Sequence, residues 1–211
     1  MIAVLSVAGA CSGDPSEGER PRVAGGDAPV IVPGGPGDAG RTATPGERLG
    51  TAQARLTAAD VLFAEAMVPH HRQALEMAAL APERAADKEV KALAARISAG
   101  QGPEIKVMSS WLRALGREAP TGHGGHAAAS PQAYGMATAD QLNRLRAARG
   151  PEFDDLFLRL MITHHEGAVR MSAEELRSGA DRVMLKMAQD IQNGQRIEIS
   201  RMRALRAKIA D

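Results

Sequence analysis

Two pairs of adjacent histidines, His70-His71 and His164-His165, lie 94 residues apart in a chain of 211 residues. Each pair has a methionine three residues before it, Met67 or Met161, and another shortly after it, Met77 or Met171. Imidazole nitrogen binds copper, zinc, nickel and iron alike. Thioether sulfur is a soft, neutral donor that suits Cu(I) and does little for Mg, Ca or Fe(II). On a helix, Met67 is i,i+3 from His70 and i,i+4 from His71, so these side chains can share one ligand. Further along each half of the chain comes a Gln-x-x-Glu: Gln101 and Glu104, then Gln195 and Glu198. Against this donor set stand one Cys, ten Met, six His and only 2% aromatic residues.

The elements that must carry these residues are helices. The 94-residue offset aligns Phe63 with Phe157, Met67 with Met161, both His pairs, Ala74 with Ala168 and Met77 with Met171. Without a gap it also aligns Ile97, Gln101, Glu104, Ile105 and Met108 with Ile191, Gln195, Glu198, Ile199 and Met202. The spacing predicts two helix hairpins, residues 57–115 and 152–209, docked as an all-α four-helix bundle. The first hairpin pairs about 57–80 with about 83–115, turning near Ala81-Pro82; the second pairs about 152–178 with about 181–209, turning at Gly179. Thr57 reads as an N-cap. The connector 116–151 is rich in Gly, Pro and Ala and ends in a short helix near 138–148.

At about 100° per residue, Phe63, Met67, His70, Ala74 and Met77 fall on one stripe, with His71 at its edge. The second half repeats this. On the partner helices, Gln101 and Glu104 sit in the middle of the stripe through Ile97, Met108 and Trp111. An unpaired buried carboxylate costs several kcal/mol, against a net stability of about 5–15 kcal/mol. These groups must therefore meet each other or a ligand.

Two readings follow from the residues. In one, His–Glu and His–Gln hydrogen bonds form a closed structural network within an interaction domain. In the other, the bundle interior holds a metal. A di-metal redox centre is a third and poorer fit, because such centres use Glu-x-x-His pairs and neither His pair has a Glu three residues before it. No residue set for nucleophilic catalysis is present, and no catalytic or organic-cofactor residue is assigned. His123 and His126, in a Gly-rich loop, are auxiliary metal ligands or solvated loop residues.

A formal net charge of +1 lacks the basic excess that nucleic-acid binding requires. One Cys cannot build a multi-thiolate site. Residues 1–11 hold a short apolar run ending Ala8-Gly9-Ala10-Cys11, too short to span a bilayer. The run fits an export signal. Small residues before the sole Cys fit a lipoprotein processing site, which would anchor the protein in the cell membrane through lipidated Cys11; plain secretion is the alternative. Residues 12–56 read as a disordered tether, with ten Gly and six Pro between 12 and 50.

The segments MVPHHRQALEMA, FDDLFLRLMITHHEGAVRMS, ISAGQGPEIKVMSSWL and IQNGQRIEISRMRAL resemble the bacterial domain-of-unknown-function 305 family. The resemblance implies a ferritin-like four-helix bundle, usually exported to the periplasm or cell surface, and in some members copper binding through His and Met. The expectation is an extracytoplasmic binding protein for copper, most simply Cu(I), that sequesters or transfers the ion. The expected metal residues are His70, His71, His164, His165, Met67, Met77, Met161 and Met171. Glu104 and Glu198 would orient the His rings or bind directly.

Overall fold

The computed structural model describes residues 22–23, 31–32, 39–49, 56–120 and 134–210. Cys11 and the export segment lie outside them, as do His123 and His126. Contacts divide the chain into two units, residues 1–53 and 54–211. The first contains four two-residue strands, β1 (Arg22–Val23), β2 (Ile31–Val32), β3 (Arg41–Thr42) and β4 (Arg48–Leu49). Strand β1 pairs with β4 and β2 with β3, both antiparallel. Within the stretch read as a tether, Glu47 accepts hydrogen bonds from the Thr44 amide at 2.9 Å and from Arg41 Nη1 at 3.0 Å.

The second unit is helical. Helix α1 (Ala58–Ala78) starts on the Thr57 cap, in a capping box with Asp60. A short α2 (Ala81–Arg84) opens on Pro82, where the missing amide costs nothing. Helix α3 (Lys88–Ala114) starts later than the spacing predicts, because the α2 turn closes on itself and Asp87 caps a new helix. Thr138 caps α4 (Ala139–Ala147), the short helix expected in the connector. Helices α5 (Gly150–Ser178) and α6 (Arg182–Ala210) complete the set. Helix α1 packs on α3, α5 on α6, and α1 against α5, giving the ferritin-like four-helix bundle.

Matching carboxylates tie the two hairpins together. Asp60, on α1, accepts from the amides of Ala180 and Asp181 at 2.9 Å each, in the turn before α6. Asp154, on α5, accepts from the amide of Asp87 at 2.8 Å, in the turn before α3. Each hairpin thus supplies the acceptor for the other's turn. Asp87 and Asp181 in turn cap their helices by accepting from Glu89 and Val183 at 2.5 and 2.9 Å. Gly179 lies within this arrangement. Its φ of −77° is open to any residue, so it is not the left-handed terminator its sequence position suggests. A Cβ there would meet the Glu175 carboxyl and Asp60, so any larger residue would have to displace those side chains.

The apolar core is split in two. One cluster joins Ala74, Met77, Ile97, Phe157, Met161, Ile199 and Met202; the other joins Phe63, Met67, Met108, Ala168, Met171 and Ile191. Every long helix passes from one cluster to the other, and crosses at its polar motif. On α1 the crossing is His70-His71, on α3 Gln101 to Glu104, on α5 His164-His165 and on α6 Gln195 to Glu198. Burying each large apolar side chain contributes roughly 1.5–3 kcal/mol. The clusters are therefore the source of stability, and the layer between them is a cost they carry.

Asp60, at the start of α1, and Glu175, near the end of α5, are two buried carboxyl groups that titrate far apart. Burial pushes the Glu175 carboxyl up to about 8, helped by its bond to Asp60 and that carboxylate's charge. Burial also acts to raise Asp60, but the Thr57 and Asp181 amides outweigh it and hold Asp60 at about 2. Unfolding lets Glu175 ionise at its ordinary value of 4.5. Stability should therefore fall as pH rises from about 4.5 to about 8. In Glu175→Gln that decline should vanish in thermal melts across the same range, while acid destabilisation below the ordinary Asp value remains.

Candidate metal centre

Histidines 70 and 164 meet where α1 crosses α5. Their rings stack with centroids 3.6 Å apart and planes 28° from parallel. His71 and His165 lie outboard, their centroids 6.3 and 6.2 Å from those of their neighbours. All four are buried. His71 Nε2 donates to Glu104 Oε2 at 2.8 Å, and His165 Nε2 donates to Glu198 Oε2 at the same distance. His70 Nε2 donates to the carbonyl of Tyr134 at 3.0 Å.

These partners decide the tautomers. Carboxylates and carbonyls only accept, so in the neutral rings the proton sits on Nε2 and Nδ1 keeps its lone pair. Nδ1 of His70, His71 and His165 is buried without a hydrogen-bond partner. Neither ring nitrogen of His164 has a well-aligned partner; the His70 backbone gives it only a weak attraction. Burial, then the neighbouring His71, lowers His70 to about 3. Burial and His70 hold His164 well below its ordinary range. Both rings are neutral at physiological pH, which is the form that ligates metal.

The amides of Gln101 and Gln195 are also buried with neither atom bonded. Each unmet polar group costs about 1–3 kcal/mol, so the layer is a concentration of unfilled donor and acceptor capacity. The methionines flank it on both sides: Met67 and Met171 in one apolar cluster, Met77 and Met161 in the other. Among the described residues, no three His, Cys, Asp or Glu side chains converge into a ready metal cage. Nitrogen donors therefore lie between sulfur donors, with two equivalent His–Glu units on opposite sides. The wheel put Glu104 and Glu198 mid-stripe, but their side chains are 26% and 21% exposed. Long side chains let each carboxylate reach the bundle margin while still holding its His.

The spacing gave no sign of a strap over the His70–His164 crossing. Residues Tyr134 to Ala137 run along the groove between α1 and α5. Gln73 clamps the strap, donating to the Ala137 carbonyl at 3.0 Å and accepting from the Ala137 amide at 2.7 Å. The Tyr134 hydroxyl donates to Glu174 at 2.7 Å. On α5 the strap lies so close that a Cβ at Gly167 would overlap the Tyr134 carbonyl. Gln73 and Gly167 share the 94-residue offset but not their identity. One strap cannot meet two helices alike, and that mismatch is the signal that could have revealed it.

A four-helix bundle with imidazoles at its midpoint and thioethers on either side defines a class of helical proteins with nitrogen and sulfur donors turned inward. The chain belongs to the DUF305 family: the model described as "Domain of unknown function (DUF305)" matches residues 60–206. A DUF305 structure from Streptomyces coelicolor is 29% identical, covers 72% of this chain and 94% of that one, and superposes with a TM-score of 0.66. A DUF305 fragment from Deinococcus radiodurans is 30% identical, with 72% and 98% covered and a TM-score of 0.65. CopM in its Cu(II)-bound form is 34% identical, with 71% and 96% covered and a TM-score of 0.61. CopM structures also exist with Cu(I) and with silver. No curated protein matches the chain.

The two His–Glu bonds are equal in length and setting, so their loss should cost the same. Glu104→Ala and Glu198→Ala should each lower stability by about 1 kcal/mol, because water can reach the bundle margin in place of the partly exposed carboxylate. Urea unfolding would check this, and Glu→Gln at either position should recover most of the loss.

Proposed function

We propose that this protein binds copper outside the cytoplasm, most favourably as Cu(I), and holds it for sequestration or transfer. The observation that carries the reading is the set of buried Nδ1 atoms left free on His70, His71 and His165, with His164 beside them and thioethers above and below. His70, His71, His164 and His165 are the nitrogen ligands. Met67, Met77, Met161 and Met171 are the sulfur ligands. Glu104 and Glu198 hold the outboard rings by their Nε2 protons, an arrangement that fixes ring orientation and raises ligand basicity. Mixed imidazole and thioether donors favour soft Cu(I), and silver as its analogue, over zinc. The copper- and silver-bound forms of CopM support metal binding of this kind.

The closed-network reading requires partners for these ring nitrogens and for the Gln101 and Gln195 amides, and the protein side chains do not supply them. Export is the second part of the proposal. It is supported by the apolar run before Cys11, and by a family protein that carries the word secreted in its name. Among the described residues no helix is long and apolar enough to cross a membrane. Membrane attachment through a lipidated Cys11 is supported by the small residues Ala8-Gly9-Ala10 directly before it.

Titration with Cu(I) against a competing chelator tests the ligand assignment. Replacing His70, His71, His164 and His165 together by Ala should abolish binding, and equal affinity in that variant would overturn the proposal. Glu104→Ala should weaken binding by about 10–100-fold. Met67→Leu with Met171→Leu should lower Cu(I) affinity while leaving Zn(II) affinity unchanged.

A further inference from the structure

The histidine layer is closed on its α3 and α6 sides by helices, and on the groove between α1 and α5 by the strap. Among the described residues, the strap is the one part of this enclosure that lies outside the long helices. Side-chain bonds hold it: the Gln73 clamp on Ala137, the His70 bond to Tyr134 and the Tyr134 bond to Glu174. Beside it opens a cleft of about 450 Å³, lined by Phe63, Ala66, Met171, Glu174 and Tyr134 itself. Met171 is the one candidate sulfur ligand in the lining, and it is 4% exposed whereas Met67, Met77 and Met161 are fully buried. Met171 shares its apolar cluster with Met67, one turn before His70. A comparable cleft of about 440 Å³, lined by Leu93, Ala204 and Leu205, touches no candidate donor.

We propose that the Met171 cleft is the antechamber through which metal reaches the histidine layer, and that the Tyr134–Ala137 strap is its gate. The inference rests on the copper-binding reading. A soft ion is received by the Met171 thioether at the floor of the cleft. Tyr134 separates that floor from His70. Swinging Tyr134 outward joins the cleft to the layer and releases His70 Nε2 from its carbonyl. No helix has to move. Gly167 sets how closely the gate shuts, because any larger residue there displaces the Tyr134 backbone.

The test uses the full chain and Cu(I) delivered from a chelator complex, with loading followed in a stopped-flow instrument. Gly167→Ala should load about tenfold faster than wild type, as expected if opening becomes about 1.4 kcal/mol easier. Ala66→Trp, which fills the cleft, should load about tenfold slower, while Ala204→Trp, in the other cleft, should match wild type. Loading at the wild-type rate in both Gly167→Ala and Ala66→Trp, or equal slowing by the two Trp variants, overturns the route. A metal-free readout separates this from the binding proposal. Acylation of His70 by diethyl pyrocarbonate, read by peptide mass, should rise in Gly167→Ala and leave His71 and His165 unchanged. If wild type takes up no Cu(I) at equilibrium, the copper reading fails, and equal His70 acylation in both proteins then overturns the gate as well. Should Gly167→Ala lose helical content, Gln73→Ala frees Ala137 without adding atoms and carries the same expectations.

Discussion

The burial of four imidazole rings at the middle of a helical bundle is the constraint on which the rest of this structure depends. Four rings and two amides occupy the plane where an ordinary bundle would place leucines. Charging His70 or His164 would place a cation among buried side chains, and burial suppresses it. The plane therefore has to be paid for by the two apolar clusters that enclose it. Those clusters place Met67 and Met171 on one side of the rings and Met77 and Met161 on the other, so these four side chains both stabilise the fold and carry a soft atom. Stability and donor chemistry draw on the same residues.

Much of this was legible in the chain. The 94-residue offset named the four histidines, the four methionines and both Gln-x-x-Glu motifs, and helical periodicity put them on inward faces. It reads well because side chains on a helix repeat every turn. The strap has no such rhythm: Tyr134 and Ala137 act through backbone carbonyls and an amide, which carry no sequence identity. Asp154 and Asp60 are also one offset apart, but their role depends on which turn the other hairpin presents. Gly179 ends α5 as its position suggests, but without a left-handed backbone, and its missing side chain leaves room for two carboxyl groups. The burial of Glu104 and Glu198 was overread because a wheel locates a Cβ and not the end of a long side chain.

The likeness between the hairpins is close but incomplete, and the differences are concentrated. His71–Glu104 and His165–Glu198 are matched in length, and Asp60 and Asp154 perform matched tasks. The mismatch falls at Gln73 against Gly167, where one helix grips the strap and the other gives way to it. A bundle with two equal halves would leave its central rings equally accessible from both sides. A single connector crossing one groove makes His70 and His164 chemically distinct, although their helices are nearly interchangeable.

The crossed carboxylates have a consequence for how the bundle comes apart. Asp60 holds the turn before α6 and Asp154 holds the turn before α3, so neither hairpin owns the acceptor that finishes its own corner. A hairpin cut out and studied alone would keep its heptad-like stripe and lose its corner. Two copies of one hairpin brought together could restore both corners, each lending its aspartate to the other. Covalent linkage of the two halves therefore acts as a local-concentration device: it makes permanent an exchange of aspartates that separate halves could hold only when abundant.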